Sequence, residues 1–131
     1  LKPPCLIVIY YVLPAIRAII VQKLIEEYNL REIDVAIRTG ITPAAITQYM
    51  KGKRGSSLVR AITQSERAMK IISDITECLG KKETSIDIIL NKLCEVCHII
   101  RSEGLICDIH QVELQTLKEC KCDFCKKNLS L

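Results

Sequence analysis

The chain has 131 residues, with 49% hydrophobic and 26% charged residues, five Gly, four Pro and eight Cys. This excludes a disordered or fibrous polymer and any large catalytic architecture, and leaves room for one ordinary domain or two small ones sharing a core. The net charge of +4 is unevenly spread: residues 1 to 62 carry nine Lys/Arg against four Asp/Glu, and residues 63 to 131 carry ten against eleven.

The apolar run Cys5 to Leu13 comes first. Leu6 to Val12 is rich in β-branched and aromatic residues, compatible with a strand or a buried helix. The run is too short to span a bilayer, and Lys2 before it with Pro14 and Arg17 after it do not make a leader, so a cytoplasmic protein without a membrane partner is expected. Pro14 opens a predicted helix over Ala15 to Tyr28, with Ile16, Ile19, Ile20, Leu24 and Ile25 at helical spacing and Asn29 as its stop. Arg31 to Thr39 is a second helix with Ile33, Ala36 and Ile37 on one face, and Gly40 breaks it. Thr42 as N-cap and Pro43 at the first helical position open the next, because the hydroxyl satisfies a backbone donor and proline has none to satisfy.

Lys51 to Ser57 holds two glycines, two serines and three basic residues and reads as a loop. Leu58 to Leu79 reads as one long amphipathic helix, with Ile62, Met69, Ile72, Ile75 and Leu79 as its stripe and Gly80 as its stop. Ser85 to Arg101 is another, ended by Gly104, and the short link between them predicts an antiparallel pair. Beyond Gly104 the pattern weakens, with a short helix within Val112 to Glu119. No internal repeat and no convincing strand is found.

The segment Glu32 to Tyr49 reads EIDVAIRTGITPAAITQY. Ala36 is small where two helices cross, Gly40 supplies the positive φ of a turn, and Ile33, Ile37, Ile41 and Ile46 are expected to fill the angle between the helices. On these residues the stretch Pro14 to Arg60 resembles the Cro/repressor-like helix-turn-helix family. The resemblance implies that Pro43 to Met50 lies in the DNA major groove, with Thr42, Ala44, Ala45, Thr47 and Gln48 facing base edges. Gln48 suits adenine, the threonines suit bases or phosphates, and the alanines suit thymine methyls. Pro43 departs from the family, which often has a polar base reader there, and this moves weight onto Gln48 and DNA shape. The charge agrees, since Arg38, Lys51, Lys53, Arg54 and Arg60 occur with no acidic residue between residues 38 and 60. Lys51, Lys53 and Arg54, with Arg38 nearby, are the expected phosphate contacts.

Six of the eight cysteines lie between Cys94 and Cys125, spaced Cys94-x2-Cys97, Cys107-x2-His110 and Cys120-x-Cys122-x2-Cys125. In a reducing compartment such a set reads as metal-binding before it reads as disulfides. Neither Cys94 to Cys97 nor Cys122 to Cys125 contains the glycine of a zinc knuckle, and there are more sulfurs than one tetrahedral zinc needs. An iron-sulfur cluster, 4Fe-4S foremost, is therefore favoured over Zn. Cys94 to His98 also matches the c-type haem attachment pattern, which the expected cytoplasmic location disfavours. Cys78 reads as a small core residue, and His110 as either a ligand or a surface residue.

Nearly the whole chain is similar to a family of predicted archaeal transcriptional regulators, through PCLIVIYYVLPAIRAIIVQKL, ITPAAITQYMKGKRG, CEVCHIIRSEGLICDIH and CDFC. The resemblance implies a dimeric DNA-binding regulator whose cysteine-ligated centre acts as sensor or staple. Four ligands come most simply from Cys94, Cys97, Cys107 and one of Cys122 or Cys125, with Cys120 extra and Cys5 recruited or buried. The expected fold is all-α: a helix-turn-helix DNA-binding domain over 1–60, then long amphipathic helices and a cysteine-rich module over 61–131. The expected partners are double-stranded DNA and a second copy of the chain. No catalytic constellation or phosphate-binding glycine loop is found, so neither an enzyme nor a small-molecule substrate is expected. The competing expectation is a DNA-binding protein with a purely structural zinc site.

Overall fold

A continuous helical spine runs from Pro4 to Glu26, built from α1 (Pro4–Ile7), a π-helical segment (Val8–Val12) and α2 (Leu13–Glu26). The computed structural model describes residues 4–54, 56–81 and 85–107, and all regular structure among them is helical. Around the spine come α3 (Glu32–Thr39), α4 (Pro43–Met50), α5 (Ser56–Thr63), α6 (Glu66–Lys81) and α7 (Ile86–Ser102).

Pro14 does not begin the first helix, which starts ten residues earlier. In a regular α-helix its ring would collide with the carbonyl of Tyr10. The wider π turn lies directly before it, and the Leu13 N–H donates to the Val8 carbonyl across that turn. The strand reading of Leu6 to Val12 is thereby replaced by helix. The spine is also longer than the apolar run alone indicated: Val8–Glu26 is long and apolar enough to cross a membrane by length and composition. Within it Ala15, Ile16, Ala18, Ile19, Ile20, Val21 and Leu24 are buried. A helix apolar on nearly every side is what a central packing position requires, and α2 packs against α3, α4, α5 and α6.

The predicted long helix over Leu58 to Leu79 is two helices, α5 and α6, interrupted at Gln64 and Ser65. Ser65 explains the break, because its Oγ accepts from the Ala68 N–H at 3.2 Å and caps the new helix. The same hydroxyl reaches the Glu103 carboxylate, at 2.8 and 3.0 Å from its two oxygens. Ser65 begins α6 and Glu103 follows the end of α7, so the pair is antiparallel as the short link predicts. Lys92 and Asp74 face each other across it at 3.9 Å.

The helix stops follow local chemistry. Gly104 has φ +74°, with Leu105 N–H on the Ile100 carbonyl and Gly104 N–H on that of Arg101. This is the Schellman closure that glycine makes without a Cβ penalty. The boundary expected at residues 60–61 falls inside α5, whose Leu58 and Ile62 belong to the same buried cluster as Ile16, Leu24, Ile72 and Ile100.

Candidate functional site

The α3–α4 corner begins with a stop and a start. Gly40 takes φ +73° and its N–H donates to the Ala36 carbonyl at 3.0 Å, ending α3. Two residues on, the Thr42 Oγ1 accepts from the Ala45 N–H at 3.2 Å, and Pro43 takes the first helical position. A three-residue turn thus joins two eight-residue helices. The angle between them is filled by Val35 and Ile46, both fully buried, with Ala36 and Ile41 partly buried beside them.

Ile33 and Ile37 do not fill that angle. They are 59% and 71% exposed. On a 3.6-residue helix they lie one turn apart on the side opposite Val35, so covering Val35 uncovers them.

Along α4 the buried arc is Ala45, Ile46 and Tyr49, and the outer arc is Thr42, Pro43, Ala44 and Gln48, all exposed, with Thr47 partly so. Ala45 is therefore corrected: at 7% exposure it is a core residue and its methyl is not presented to a partner. The Thr47 hydroxyl donates to the Pro43 carbonyl at 3.1 Å, which leaves its oxygen as an acceptor outward. Lys51 and Lys53 are exposed where α4 ends in a second Schellman closure, with Gly52 at φ +68°. The Arg54 guanidinium lies 5.9 Å from the centroid of the buried Tyr49 ring, a cation–π placement that orients an exposed arginine. Among the described residues none of these three cations has a carboxylate partner, so their field is uncompensated.

Arg38, expected with them, is elsewhere. Its Nη1 donates to the carbonyl of Leu79 at 3.1 Å and to that of Gly80, at the last turn of α6. A guanidinium suits this place because the final carbonyls of a helix lack intrahelical partners and carry the negative end of its dipole. Arg38 thus joins α3 to α6 through Nη1, a connection its expected place on the DNA face did not include. The joint is tight: a Cβ on Gly80 would come within 2.6 Å of the Tyr28 ring.

On α7, Cys94 is exposed and Cys97 partly buried, three residues apart along one edge, and neither is in a disulfide. Burial, and then the neighbouring Cys94, push the Cys97 thiol up to about 11, while Arg101 opposes the shift. The Arg101 Nε is buried and has no hydrogen-bond partner among the described residues. Cys94 and Cys97 lie about one helical turn apart, a spacing at which two cysteine side chains can reach one metal centre. Cys107 lies past the Gly104 stop, and Cys122, Cys125, Cys120 and His110 lie outside the described residues. Among the described residues no three His, Cys, Asp or Glu side chains converge as a metal site. Cys78 is partly buried on α6.

Sequence reading missed three connections: Ser65 to Glu103, Arg38 to the end of α6, and Gly80 to Tyr28. Only the first had a local signal, the Ser-Glu pair at 65–66 that suits a helix start. No family model, curated protein or solved structure matches the chain.

Proposed function

We propose that the chain is a DNA-binding transcriptional regulator of helix-turn-helix type, acting as a homodimer and carrying a cysteine-ligated iron-sulfur centre, 4Fe-4S foremost, as a redox or iron-sulfur sensor. The observation that carries the DNA-binding reading is the outer arc of α4. A short row of small and hydrogen-bonding side chains, Thr42, Ala44 and Gln48 exposed and Thr47 partly so, continues into Lys51, Lys53 and Arg54, which have no carboxylate partner among the described residues. The row suits base edges and the cations suit phosphates. A dimer follows from the small contact set of one eight-residue helix, which a second copy one helical turn along the duplex doubles.

The test is selection from a random duplex library, followed by affinity measurement across a salt series. An enriched, two-fold symmetric site with a steep salt slope supports the reading, and salt-insensitive or absent binding overturns it. For the centre, Cys94 and Cys97 supply two thiolates, and Cys107 with Cys122 or Cys125 the remainder. A bound cluster adds one-electron redox chemistry. Anaerobic purification with iron, sulfide and zinc analysis decides between cluster and structural zinc. Equal DNA affinity before and after oxidation removes the sensing role.

A further inference from the structure

Between α2, the turn after α4, and α5 lies a cleft of about 360 Å3 that is open on its outer side. Ala18 and Tyr49, both buried, form its floor. Gln22, Arg54, Arg60 and Thr63 stand around it, and among the described residues no carboxylate lines it. Arg54 is held over the floor by the Tyr49 ring, and Arg60 comes from a separate helix. Neither arginine has a carboxylate partner among the described residues. The Thr63 hydroxyl donates to the Arg60 carbonyl at 2.8 Å, so the donors left for a ligand are two guanidinium groups and the Gln22 carboxamide.

Guanidinium forks match the oxygens of a phosphate in geometry as well as charge, and a third neutral donor adds direction without adding repulsion. We propose that this cleft is an oxyanion seat in which Arg54 and Arg60 grip a phosphate group and Gln22 donates a third hydrogen bond. The choice of a DNA-backbone phosphate as occupant rests on the DNA-binding reading. It is favoured because the cleft shares Gly52 and Arg54 with the basic turn and is open to solvent rather than enclosed. A free phosphate offers the same chemistry.

The experiment uses the full chain, with nitrogen-15 NMR of the Arg54 and Arg60 Nε and the Gln22 side-chain amide, titrated with inorganic phosphate against chloride at constant ionic strength. Saturable shifts at these three groups are expected. They should be lost in Arg60→Gln, weakened in Arg60→Lys, which keeps the charge but not the fork, and retained in Arg67→Gln, where an exposed arginine on α6 outside the cleft is neutralised. In a second arm, Arg60→Gln should flatten the slope of log affinity for duplex DNA against log salt by about one, and Arg67→Gln should leave it unchanged. Phosphate shifts with an unchanged DNA slope assign the seat to a free phosphate. No saturable shift and no slope change overturn it. A wild-type chain that binds no DNA at low salt overturns the DNA-binding reading and leaves the phosphate titration to decide the seat.

Discussion

Arg38 leaves α3 and donates to the carbonyl of Gly80, 42 residues further along the chain. A charged donor on the free carbonyls of a helix end ties the corner that presents α4 to the helix that packs against α7. Arg38→Met keeps the aliphatic stem and removes the donors. It should cost about 1.5–3 kcal/mol in denaturant unfolding, while the salt slope of DNA binding stays that of wild type and Lys53→Gln flattens it by about one. A flattened slope in Arg38→Met would return Arg38 to the DNA face.

Gly80→Ala should reverse the usual ranking of these residues inside a helix. Alanine is favoured over glycine by about 1 kcal/mol there, but here its methyl would sit 2.6 and 2.8 Å from Cδ1 and Cε1 of Tyr28. Crowding a packed ring costs about 1–3 kcal/mol, so the variant should melt lower than wild type. In a Tyr28→Ala background the same change should raise the melting temperature, because only helix propensity then remains.

Ser65→Ala removes the cap of α6 and the donor to Glu103 together. A lost cap costs about 1 kcal/mol, and a lost hydrogen bond to a carboxylate adds about 1.5–3 kcal/mol. A double-mutant cycle with Glu103→Gln should show coupling above about 0.5 kcal/mol. Simple additivity would mean that the tether contributes nothing to stability.

The two α7 thiols should differ in reactivity. Only thiolate attacks an alkylating reagent, and Cys97 is held as a thiol to about pH 11 by burial first and Cys94 second. Peptide mapping after brief iodoacetamide treatment of metal-free protein at pH 8 should find Cys94 modified well before Cys97. The linked stability runs in a definite direction. The folded value lies above the ordinary 9.0, so the unfolded chain ionises first. The contribution is whole below pH 9 and is lost as pH rises towards 11. Cys97→Ser should remove that part of the alkaline decline.

Much of the corner was legible because its signals are local. Gly40 must take a positive φ, Thr42 must cap and Pro43 must follow, and each acts within three residues. The orientation of α3 was not legible. Eight residues carrying Ile33, Val35, Ala36 and Ile37 offer apolar groups on both sides, and which side is covered depends on α2, to which periodicity is blind. The same holds for Ala45, where one residue of rotation separates a base-facing methyl from a core one. Arg38 was read from its charge and its neighbours in sequence, whereas its partner is set by where α6 ends. The α5–α6 break was misread because Ile62, Met69, Ile72 and Ile75 keep an apparent stripe across it.

α7 packs chiefly on α6, whereas α2 is enclosed by four helices. Amide hydrogens along α7 should therefore exchange with solvent through an opening that leaves the α2 core closed, since local opening free energy follows the apolar contact that must be broken. On that expectation the edge bearing Cys94 and Cys97 opens before the α2 core does, although Val96 and Ile100 share its buried cluster. Its state can alter at a fraction of the free energy of global unfolding, and the Ser65–Glu103 hydrogen bond is where such an opening meets the rest of the chain.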